Sequence, residues 1–193
     1  MGGRLTSADA TNITRRRLLK STAAFVTSSI FPNIIHANNT HSLENTSSRN
    51  LAFINLHTNE ELNCCYWKDG NYLAEGLSQI DQILRDHRAE EVHSIDQSLL
   101  DLLHIVHQMS NSTAPIHVIS AYRSAKTNNL LRKNSKGVAK RSLHMQGKAI
   151  DIRIPDVTLT QLHKNAISLQ AGGVGYYAKS NFIHLDIGRP RTW

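Results

Sequence analysis

The chain has 193 residues, 22 Lys and Arg against 15 Asp and Glu, a formal charge of +7, and a composition of 40% hydrophobic and 19% charged residues that is ordinary for a globular protein with one good core. Its two cysteines, Cys64 and Cys65, exclude a thiolate zinc site and argue against a disulfide scaffold. The basic charge does not point to nucleic acid, because five basic residues and one acidic residue lie within the first 37 positions, leaving 17 basic and 14 acidic residues in the remainder.

Those first 37 residues read as a removable export signal. Arg15-Arg16-Arg17-Leu18-Leu19-Lys20 precedes an apolar stretch over 21–35, which closes on small residues near Ala37. Paired arginines before a mildly apolar segment are the mark of the twin-arginine route, whose receptor reads the address and whose cargo emerges in the periplasm. Thr27, Ser28, Ser29 and Pro32 interrupt the apolar stretch, so it falls short of a membrane span. Residues 38–50, rich in Asn, Ser and Thr without hydrophobic periodicity, read as a flexible spacer, and 51–193 as the working domain.

Within that domain, 51–56 and 62–67 read as strands, and Lys68-Asp69-Gly70-Asn71 as a tight hairpin turn. Adjacent cysteines bridge only with strain, so Cys64 and Cys65 are read either as thiols on opposite sides of a strand or as one partner of another chain. Apolar residues recur at helical spacing over 76–86 (Leu77, Ile80, Ile83, Leu84) and 96–109 (Leu99, Leu102, Leu103, Val106). A strand over 115–122, a short helix over 126–133 and a surface loop over 135–142 follow. In 149–154 the period is two: Ile150, Ile152 and Ile154 face a core, with Ala149, Asp151 and Arg153 opposite. A helix over 158–169, a glycine-rich turn and a hairpin of 174–177 with 181–187 complete the chain. In the last strand Phe182, His184 and Asp186 share one face. These elements predict one α+β domain: a mostly antiparallel sheet with helices packed on one face.

The chemistry lies in Ser142-Leu-His144-Met-Gln-Gly147-Lys-Ala149-Ile-Asp151 and in Phe182-Ile-His184-Leu-Asp186. His144, Asp151 and His184 supply two imidazoles and a carboxylate, the ligand set of a catalytic zinc site with one position left for water. Gly147 and Ala149 are small enough for backbone to approach such a site. The histidines at 57, 87, 93, 104, 107, 117 and 163 have no matching partners and read as ordinary side chains.

Together these motifs resemble the zinc peptidases of the D-alanyl-D-alanine carboxypeptidase group, related to lysostaphin and the Hedgehog fold, and in particular the murein endopeptidase K branch. The resemblance is carried by Ser120 to Ser124, Gly137 to His144, Gly173 to Tyr177 and Phe182 to Trp193, in order from about Leu51 onward. It implies that His144, Asp151 and His184 ligate zinc and that Arg123 binds the scissile carbonyl oxygen or a substrate carboxylate. Many relatives place an acidic residue or histidine three positions before the last ligand, where this chain has Asn181, which accepts no proton at neutral pH. Asp186 is then the substitute general base, its other reading being orientation of His184.

The resulting expectation is an exported zinc metallopeptidase acting on peptidoglycan stem peptides. Trimming of terminal D-alanine and a noncatalytic zinc-containing wall-binding module are its rivals.

Overall fold

A computed structural model describes residues 48–135 and 137–193. The expected export signal, and all but the last three residues of the expected spacer, lie outside them. The described chain is α+β, with strands β1 (Ser48–Asn55), β2 (Glu61–Lys68), β3 (Asn71–Tyr72), β4 (Ile116–Ser120), β5 (Ala149–Arg153), β6 (Gly173–Tyr177), β7 (Phe182–Asp186) and β8 (Arg191–Thr192), and helices α1 (Ala74–Ile83), α2 (Gln97–Met109), α3 (Ala125–Asn134) and α4 (Leu159–Ser168). β1 starts three residues before the strand read from the sequence.

All eight strands form one sheet in the order β3-β2-β1-β4-β5-β7-β6-β8. The sheet is mixed. Five neighbouring pairs are antiparallel, but β1 runs parallel to β4 and β6 parallel to β8. The first parallel pair follows from connection length: a parallel return needs a long crossover, here the segment carrying α1 and α2. The β2–β3 connection is the tight turn read from the sequence, with Asp69 (φ 48°) and Gly70 (φ 86°) both left-handed, as a two-residue hairpin loop requires.

The core lies on one side of the sheet. Leu51, Phe53, Ile116, Val118, Ile150, Ile152, Ile183 and Leu185 meet Ile80 of α1, Leu99, Leu103 and Val106 of α2, and Leu162 of α4 in one buried cluster. Three helices open on side-chain caps that satisfy their first amides: Asp96 accepts from Ser98, Ser124 from Thr127 and Thr158 from Gln161. Cys64 and Cys65 are unbridged, half-buried thiols on β2.

The alternation that sends Ile150, Ile152, Ile183 and Leu185 into this core leaves Asp151, His184 and Asp186 on the opposite face of β5 and β7. That face carries the candidate site.

Candidate metal centre

Strand register brings two of the three predicted ligands together. Asp151 of β5 and His184 of β7 are direct cross-strand partners in an antiparallel pair, so their side chains rise side by side. His144 arrives from a different element, the short 3-10 turn Leu143–Gln146. The turn ends on Gly147 in the left-handed conformation (φ 65°), where a Cβ would run into the Ser94 carbonyl. The Gly147 carbonyl then accepts from Asp96 N–H at 3.0 Å, seating the turn against the start of α2.

Hydrogen bonds on the far side of each ring determine which nitrogen carries a proton. His144 Nδ1 lies 2.6 Å from the Ala121 carbonyl, which only accepts, so its proton sits there and Nε2 presents a lone pair. His184 Nε2 lies 3.0 Å from Asp186 Oδ2, leaving the lone pair on Nδ1. Those two lone pairs face each other at 3.2 Å, with Asp151 Oδ1 at 2.8 Å from His184 Nδ1 and 3.4 Å from His144 Nε2. Three acceptors thus converge with no donor among them, an arrangement that calls for a cation. Two imidazole nitrogens and one carboxylate oxygen, grouped this closely, fit a divalent transition metal.

The electrostatics agree. Burial lowers the pKa of His144, keeping it neutral as a ligand must be. Burial also pulls on His184, but hydrogen bonds and charge from Asp151 and Asp186 outweigh it and raise the ring above its ordinary value. Burial pushes Asp151 up, and the two imidazoles more than offset this, holding it well below the usual carboxylate range. The pocket favours positive charge.

Asp186 is fully buried and every oxygen is occupied. Oδ1 accepts from Gly173 N–H (3.0 Å), Gly188 N–H (2.8 Å) and Arg191 Nη1 (3.0 Å), while Oδ2 accepts from Arg191 Nη2 (2.6 Å) and His184 Nε2 (3.0 Å). Burial raises its pKa, but these five donors hold it well below the usual range. A carboxylate so saturated is a poor proton acceptor and a good clamp on the His184 ring. The geometry therefore favours orientation of His184 over the general-base role expected of Asp186.

Arg123 lines the same groove of about 290 Å³, together with His144, Asp151, Tyr177, His184 and Trp193. Its backbone N–H donates to the His144 carbonyl at 3.2 Å, fixing the arginine beside the turn that carries the ligand. Among the described residues the guanidinium has no ion-pair partner, and its buried Nε has no hydrogen-bond partner. Burial lowers its pKa, yet a guanidinium stays charged. A half-buried cation left without an anion can receive one.

Comparison with known proteins shows the family. A sequence profile of the peptidoglycan L,D-endopeptidase MepK family matches residues 44–193. The chain belongs to that family. The peptidoglycan L,D-endopeptidase MepK of Escherichia coli (strain K12) is 38% identical over 185 residues, spanning 96% of this chain and all of the relative. The probable peptidoglycan L,D-endopeptidase MepK of Haemophilus influenzae is 40% identical over 166 residues, 86% of this chain and 87% of that protein.

Several members of the site are invisible to motif reading. Arg191, two positions from the end, supplies the bidentate clamp on Asp186. Trp193 packs its ring 5.3 Å from that of His184 and donates Nε1–H to Tyr177 Oη at 2.9 Å. The terminal Arg-x-Trp was available only as part of the family resemblance, since nothing in spacing says that β8 returns beside β6. Asn181 is left-handed (φ 52°), closing the turn before β7, and lines a different recess from the ligands. Five other histidines have structural partners: His104 and His107 bond carbonyls, His93 stacks on Tyr122, and His57 stacks on His87.

Proposed function

We propose that this chain is an exported zinc endopeptidase that hydrolyses peptide cross-links of peptidoglycan, at bonds of the L,D type named for its relatives. The observation that carries this reading is the convergence of three proton-free ligand atoms, from His144, Asp151 and His184, beside the half-buried, unpaired guanidinium of Arg123 in an open groove.

Zinc held by His144, Asp151 and His184 would supply Lewis acidity, polarising a carbonyl and acidifying water. The protein's own residues do the rest. Arg123 donates to the stem-peptide carbonyl oxygen as negative charge develops there, an interaction strengthened by burial. Asp186 and Arg191 hold the His184 ring in one tautomer and one orientation. Trp193 packs against that ring and, with Tyr177, lines the groove beside it.

The twin-arginine leader over 1–37 would deliver the enzyme to the periplasm, where its substrate lies. Among the described residues no helix is long and apolar enough to cross a membrane. The decisive experiment digests purified murein with zinc-loaded protein and separates the products by mass, alongside His144→Ala, Asp151→Ala and His184→Ala. Loss of cross-linked species with wild type alone is expected, and each variant should lack stoichiometric zinc by elemental analysis. Intact cross-links after incubation with zinc-loaded wild type would refute the enzymatic reading.

A further inference from the structure

The sheet face that carries the metal centre continues past it. In β5, Arg153 follows Asp151 by two residues and so points to the same side, about 6.6 Å further along the strand. Arg153 is paired across the sheet with His117 of β4, which alternates with buried Ile116 and Val118 and therefore shares that side. One register step beyond the Ile152–Ile183 pair brings Arg153 opposite Phe182, whose ring lines the metal groove. The next residue back, Asn181, turns away into a second recess of about 330 Å³, which it lines with His117, Arg153, Val157 and Leu159.

This recess gathers polar side chains that lack protein partners. Arg153 makes no ion pair or side-chain hydrogen bond among the described residues. His117 Nδ1 is buried and without a partner. A buried polar atom left unpaired costs stability, so its retention needs a reason. The Asn181 amide adds a donor at the rim, and Val157 and Leu159 give an aliphatic wall. A permanent guanidinium, an imidazole and an amide around an apolar wall match a carboxylate carried on an aliphatic side chain.

We infer that the Arg153–His117 recess is a substrate subsite that binds a free carboxylate of the stem peptide, about two residues from the bond being cut. The spacing supports this: two residues of extended peptide cover about the distance that separates Asp151 from Arg153. The inference rests on the peptidoglycan reading above and deepens it, because the recess would select acidic stem peptides over amidated ones.

The test compares two probes: cross-linked muropeptide dimers with free side carboxylates, and the same dimers converted to carboxamides. Wild type should favour the free acid by about 10- to 100-fold in kcat/KM, the range of one charge-assisted hydrogen bond. Arg153→Gln should erase that preference through KM, with kcat and the rate on the carboxamide little changed. Arg153→Lys, which keeps the charge, should restore part of it, and His117→Ala should weaken it. Equal kcat/KM of wild type for the two probes, or an equal loss on both probes in Arg153→Gln, would overturn the subsite. If zinc-loaded wild type cleaves neither probe, the enzymatic reading fails and equilibrium binding of the same probes decides the subsite separately. Tighter binding of the acid that disappears in Arg153→Gln would support it, and equal binding of acid and carboxamide would refute it.

Discussion

Replacing Asp186 with Asn separates two roles that a carboxylate beside a metal ligand can play. The side chain keeps its size, but one of its oxygens becomes an NH2 group. Placed at Oδ1, that group would face three donors, from Gly173, Gly188 and Arg191. Placed at Oδ2, it faces Arg191 Nη2 and His184 Nε2, which is the lesser conflict. His184 can relieve its part only by shifting its proton to Nδ1, the atom that faces Asp151 and His144. The ligand lone pair is then lost. Loss of such an outer partner weakens metal binding by about 10- to 100-fold, or about 1.4 to 2.7 kcal/mol. Stability should fall as well. Breaking a buried ion pair costs about 3 to 5 kcal/mol, and the lower end applies because Arg191 is 37% exposed and water can solvate it. Zinc affinity is measured by competition with a chelator, alongside the urea midpoint of the zinc-free protein. Unchanged zinc affinity with abolished murein cleavage would refute the clamp and restore Asp186 as the proton acceptor.

Three further outcomes are expected. Arg123→Ala should keep zinc and murein binding while lowering kcat by about 100- to 1000-fold, as loss of one oxyanion donor does; an undiminished rate of cross-link cleavage would remove Arg123 from the chemistry. Asp86, buried beneath α3, accepts from Ser124 N–H (2.9 Å) and Arg88 N–H (3.0 Å); burial raises its pKa, but these and other hydrogen bonds outweigh that and lower it below the ordinary 3.8. Its stabilisation is therefore present above pH 3.8 and lost as pH falls through the lower folded value, so the gap in urea midpoint between wild type and Asp86→Asn should close on acidification; a gap constant from pH 7 to pH 3 would contradict this. Lys at both Arg15 and Arg16 should leave precursor in the cytoplasm by cell fractionation, and normal periplasmic accumulation would argue against the twin-arginine route.

Features that depend on near neighbours along the chain could be read from the order of residues alone. Period-two alternation put Asp151 opposite Ile150 and Ile152, and His184 and Asp186 opposite Ile183 and Leu185. The Asp69-Gly70 turn was legible because its left-handed backbone is a local demand. Features that depend on pairing between distant segments emerged only in the assembled fold. Register sets Asp151 across from His184 over 33 residues, and a slip of one residue would send one of them into the core. The parallel β1–β4 pairing turns on which edge a long crossover reaches, which no local pattern encodes. A sequence shows that the Asp186 carboxylate is present, not how many donors surround it. Arg191, Gly173 and Gly188 reach it only once β6, β7 and β8 are assembled. His117 and Arg153, which as separate residues looked ordinary, share a recess for the same reason: strand pairing sets them side by side across 36 positions.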